Sequence, residues 1–131
     1  WTEQHMLPGD LRNLGFDVPV TPEQQAAGLR GYELWLVLPP SIDLAADPVH
    51  NIKLRTFPGG LYARMAIYDP FADPFTRIPA GWSRLHCWVA DHRLYEAAEH
   101  QCLEEVIAGA DGQRDMLLYY PVAPIAEGVP V

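Results

Sequence analysis

Phe57-Pro58-Gly59-Gly60, followed by Leu61-Tyr62-Ala63-Arg64-Met65-Ala66-Ile67-Tyr68, is the stretch from which the fold is read. Proline presets one backbone angle and glycine takes left-handed conformations freely, so Pro-Gly-Gly marks a turn, into which Lys53 to Phe57 leads. Leu61 to Tyr68 then resumes as a strand. Upstream, Leu29 to Leu38 reads as a strong strand centred on Tyr32-Glu33-Leu34-Trp35-Leu36-Val37 and stopped by Pro39-Pro40. Phe16 to Val20 is a shorter strand, and Thr21 to Gln25 is polar and turn-like. Downstream, Pro70 and Pro74 sit in a loop, and a helix follows with Thr76 as N-cap and Pro79 in its first turn. Ile78, Trp82, Leu85 and Val89 lie on one face of it at helical spacing. Cys102 to Ile107 and Met116 to Val122 are strands flanking a turn at Gly109 to Gly112, and residues 123–131 show no pattern. Helix and strands mixed in this order predict an α+β domain.

The chain has 131 residues, enough for one domain with one core, and is 49 % hydrophobic and 20 % charged. No apolar run approaches the roughly 18 residues of a membrane span, and the first residues lack the pattern of a signal peptide. The net charge is −8, from nine basic and seventeen acidic residues, and Lys53 is the only lysine. Scattered arginines make a poor phosphate-binding surface, so direct nucleic-acid binding is not expected. Cys87 and Cys102 suit neither a zinc knuckle nor a disulfide framework and are expected to be buried, reduced thiols in a cytoplasmic protein. A first residue other than methionine suggests a fragment, with an upstream DNA-binding domain as one possible missing partner.

Two glutamates inside apolar strands stand out. Strand alternation puts Glu33, Trp35 and Val37 on one face, and Cys102, Glu104 and Val106 on one face of the other strand. A carboxylate among such residues is costly to bury unless paired, so Glu104, with Glu33, becomes a candidate counter-charge for a cationic ligand. Trp35 would add cation–π attraction of roughly 0.5–2 kcal/mol. The plainer alternative is that both glutamates stand in water. Tyr62, Tyr120 and Trp88 are candidate walls of an aromatic pocket, although a sheet buries some tyrosines without any role. Enzyme signatures are thin: neither Ser41 nor Ser83 sits in a nucleophile elbow, and the five histidines show no metal-binding spacing. No catalytic residue, cofactor or metal is assigned.

Phe57-Pro58-Gly59-Gly60-Leu61-Tyr62-Ala63 resembles the turn and strand of GyrI-like small-molecule binding domains, which include effector-binding domains of AraC-type and MerR-type multidrug-responsive regulators. The helix with Ile78, Trp82, Leu85 and Trp88 is similar to that family's helix, Cys102-Leu103-Glu104-Glu105-Val106 resembles its Phe-Glu-x-Tyr strand, and Leu118-Tyr119-Tyr120-Pro121-Val122 its closing strand. The resemblance spans residues 29–122 and implies a pseudo-twofold pair of βαββ units, with two helices on one face of an antiparallel sheet. It implies a ligand groove where the halves meet, Glu104 at its floor and Glu33 as the first-half counterpart. A weak internal echo between Tyr32-Glu33-Leu34-Trp35-Leu36 and Leu103-Glu104-Glu105-Val106-Ile107, with a candidate helical tryptophan beginning each half (Trp1 and Trp82), agrees with a duplication. Two departures are visible: Val106 stands where the family has tyrosine, and Asp69 to Phe75 looks inserted. The family's first strand and much of its first helix would precede residue 1.

The expected function is therefore binding of a lipophilic, cationic small molecule by Glu104, Trp35, Tyr62, Trp88, Tyr120 and Glu33, as a ligand sensor or the effector-binding module of a transcription regulator. A hydrolase acting on electrophilic small molecules and a protein-binding module of the gyrase-inhibitor kind are the alternatives.

Overall fold

The computed structural model describes residues 11–126. Among these residues the expected α+β class is observed: a six-stranded sheet with every pairing antiparallel, and two α-helices. In chain order, β1 is Asn13–Val18, α1 Pro22–Ala26, β2 Gly31–Leu36, β3 Tyr62–Ile67, α2 Pro74–Asp91, β4 Tyr95–Ala97, β5 Leu103–Ala108 and β6 Arg114–Pro124. The main path through the sheet is β2-β1-β5-β6-β3, and β4 pairs with the far end of β6.

The register assigns every side chain to a face. Leu14 lies opposite Trp35 and Glu105, and Leu103 lies opposite Tyr119. These residues share one face with Phe16, Glu33 and Tyr62. Gly15 lies opposite Leu34 and Glu104, and Glu104 lies opposite Leu118, so these point to the other face. Helix α2 packs on that second face. Its Leu85 joins Ile67, Met116 and Leu118 in a buried cluster, with Ile78 and Trp82 against the edge. Leu118 is fully buried. A separate cluster of Leu14, Phe16 and Leu103 forms on the first face. The sheet is thus apolar on both sides, with a different partner for each.

Several expectations need correction. The helix begins at Pro74 rather than after Thr76, so Pro79 falls inside it. Pro74 supplies the preset first-turn angle, and one lost backbone hydrogen bond at Pro79 is outweighed by the buried face of Gly81, Leu85 and Val89. Thr21 to Gln25 is not a simple turn. Thr21 and Gln24 form a capping box that starts the short helix α1, none of whose residues is buried. The irregular tail begins later than expected, because β6 continues to Pro124 and its last residues pair with β4. Cys87 is exposed on α2, whereas Cys102 is half-buried. Trp1, the first-half match to Trp82 in the internal echo, lies outside the described residues.

Candidate ligand-binding site

Between Leu36 and Tyr62 the chain makes a connection longer than the roughly 12–15 residues at which structureless loops become uncommon. It is pinned at both ends. The Val37 N–H donates to the Arg12 carbonyl at 3.0 Å, and His100 Nε2 donates to the Gly59 carbonyl at 2.7 Å. Midway, a short 3-10 turn at Pro48–His50 is capped by the Asp47 side chain. The loop lies over the first sheet face, and a cleft of about 790 Å³ remains between them. That volume is in the range of small-molecule pockets.

Aromatic packing builds the wall of this cleft. Trp35 meets Phe16 edge-on at 5.0 Å, and Phe57 from the loop lies 5.0 Å from Trp35. Phe57 also stacks on His100 at 5.1 Å, and Tyr62 meets Tyr119 edge-on at 6.1 Å. Each such pair contributes roughly 0.5–1.5 kcal/mol beyond area burial. The Tyr62 hydroxyl donates to the Gln101 carbonyl at 2.8 Å, which fixes the ring. Trp35 Nε1 donates to Glu33 at 2.7 Å, leaving the indole's apolar surface for the cleft.

Charge enters through Arg12, Lys53 and Arg55, which all line the cleft. Arg12 makes a two-pronged contact with Glu105, Nε donating at 2.7 Å and Nη2 at 3.0 Å, while the Tyr119 hydroxyl donates to the same carboxylate at 2.6 Å. Glu105 is buried, and the Arg12 guanidinium holds its carboxyl below the ordinary carboxylate range. In return Glu105 raises the guanidinium's affinity for its proton. Arg55 sits 5.7 Å from the Trp35 ring centre and 3.4 Å from the Glu33 carboxylate.

Glu104 lies on the opposite face. Burial pushes its carboxyl up, Asp17 adds to the effect, and the Trp82 side chain and Arg30 oppose it. Tyr32 covers Gly15 beside it so closely that a Cβ on Gly15 would meet the ring. Burial, then Glu104 and Asp17, push the Tyr32 phenol up to about 12.

The six residues singled out from the sequence therefore separate. Trp35, Tyr62 and Glu33 come together at the loop-covered face, with Trp35 and Tyr62 lining the cleft. Glu104 and Tyr120 face the α2 side, where Tyr120 contacts His86 at 3.1 Å beside a smaller recess of about 290 Å³. Trp88 is half exposed, with its ring centre 4.4 Å from that of His92 and the two planes tilted. Glu33 is not a counterpart of Glu104: it sits on β2 at the sheet edge and points the other way, and the residue in register with Glu104 is Gly15. Glu105, Arg12 and Phe57 were not among the expected site residues. Parity along β5 carried the signal for Glu105, since it shares a face with Leu103.

No family model, curated protein or solved structure matches this chain. Among the described residues no helix is long and apolar enough to cross a membrane.

Proposed function

We propose that this domain binds an amphipathic small molecule in the loop-covered cleft, as a ligand sensor or effector-binding module. The observation that carries the reading is the cleft itself, walled by Trp35, Phe57, Tyr62 and Tyr119 and large enough for a ligand. Burial of apolar ligand surface there is worth about 25 cal/mol per Å² before the costs of association. The likeness to GyrI-like domains belongs to this reading, supported by the order strand, helix and three strands over residues 62–124. So does a duplicated βαββ plan: hairpins β1–β2 and β5–β6 meet through the antiparallel pair β1–β5, as a local twofold axis would require.

One observation favours a second reading, a cation on the α2 side. Glu104 is a half-buried carboxylate whose ionised form is disfavoured, next to Asp17, and a positive ligand group would relieve both effects.

A single experiment compares the two. Tryptophan fluorescence is titrated with lipophilic acids, alcohols and quaternary amines in wild type, Trp35→Ala and Glu104→Gln. The cleft reading expects saturable quenching, and an affinity at least about tenfold weaker, roughly 1.4 kcal/mol, in Trp35→Ala alone. Loss confined to cations and to Glu104→Gln would transfer the site to the α2 side.

A further inference from the structure

This inference rests on the small-molecule reading of the loop-covered cleft and specifies the ligand's charge. The chain carries a net charge of −8 with only nine basic residues, yet three of the nine, Arg12, Lys53 and Arg55, line this one cleft. No Asp or Glu lines it among the described residues. Two carboxylates stand behind the lining: Glu105 is engaged by Arg12, and Glu33 lies 3.4 Å from Arg55. Lys53 has no carboxylate partner among the described residues. Among the described residues, three cations against two carboxylates leave one positive charge uncompensated at a largely apolar site.

The position of these groups adds to the count. Lys53 and Arg55 are two residues apart on the loop, and Arg55 lies over Trp35, so their charges flank the aromatic wall. Arg12 stands at the sheet side, with Nε and Nη2 held by Glu105 and Nη1 making no hydrogen bond to another described residue. A guanidinium fixed in this way is oriented in advance for a carboxylate. A ligand ammonium group would instead enter beside three like charges, and such juxtaposition discriminates against it.

We infer that the cleft takes an amphipathic monoanion, a molecule with an apolar aliphatic or aryl body and one carboxylate. The body lies against Trp35 and Phe57, and the head group meets Lys53, Arg55 and the free edge of Arg12.

The test is calorimetric titration of the full chain with three probes sharing one apolar body, decanoate, decanol and decyltrimethylammonium, at about pH 7.5, where a carboxylate is ionised. Decanoate is expected to bind at least about fivefold tighter than decanol, and the trimethylammonium weakest, with the gaps narrowing as salt screens the charges. Lys53→Gln and Arg55→Gln, both exposed loop positions, each reduce the decanoate-over-decanol preference, and the double variant removes it. Equal binding of decanoate and decanol, or tighter binding of the trimethylammonium, overturns the anion preference and leaves the cleft as a binding site. Absence of binding by all three probes overturns both readings.

Discussion

Glu104 and Glu105 are adjacent on β5, face opposite sides of the sheet, and have their carboxyl groups shifted in opposite directions from the ordinary value. Glu105 is paired within a buried network, so its carboxyl is depressed. Its contribution to stability is complete above the ordinary carboxylate range and is lost as pH falls through the depressed value. Arg12→Leu should therefore cost about 1–3 kcal/mol near neutrality, kept below the cost of a fully buried pair because Arg12 is itself partly exposed. Urea unfolding at about pH 7 and about pH 3 checks this: the difference from wild type should shrink in acid, and an unchanged difference would contradict it. Glu104 has the reverse sign. Its raised value means the ionised form is held at a cost, so Glu104→Gln should stabilise the fold near neutrality. The gain should be complete above the raised value and vanish as pH falls below the ordinary one. Denaturant midpoints across the same pH range measure it, and a loss of stability at neutral pH would mean that Glu104 has a stabilising partner.

Helix α2 is seated by its glycine. A Cβ on Gly81 would run into the Ile67 side chain on β3 and press on Leu118 of β6, so the helix approaches the sheet where only glycine fits. Gly81→Val should destabilise by about 1–3 kcal/mol through overpacking, despite removing an intrinsically poor helix former. Thermal unfolding reads this directly, and an unchanged midpoint would mean that the helix does not rest on Ile67. At the same scale, β2 shows that alternation groups residues by face without telling which face is covered. Its even positions Tyr32 and Leu34 are apolar and exposed, because α2 covers only the β3–β6 half of its face. Its odd positions Glu33 and Trp35 are the better buried ones.

Across the whole molecule, local chemistry was legible where it is strong. Pro-Gly-Gly before β3, the Ile78–Val89 stripe and the alternation of β5 and β6 announced those elements within a few residues. The three-residue strand β4 carries too short a pattern to announce itself, and it forms because β6 offers it a partner at Val122 to Pro124. The aromatic character of the site was also readable, since Trp35 and Tyr62 line the cleft. The sequence by itself thus determined the α+β class, the main helix and strands, the strongly negative charge and two walls of the pocket. Tertiary structure alone decided that Glu105 rather than Glu104 shares the face of Trp35, and that Arg12, Lys53 and Arg55 converge there. The reason is physical: periodicity fixes which residues of one strand share a face, but the relative phase of two strands is set by their pairing register. Likewise, the charge of a cleft depends on side chains that only folding brings together.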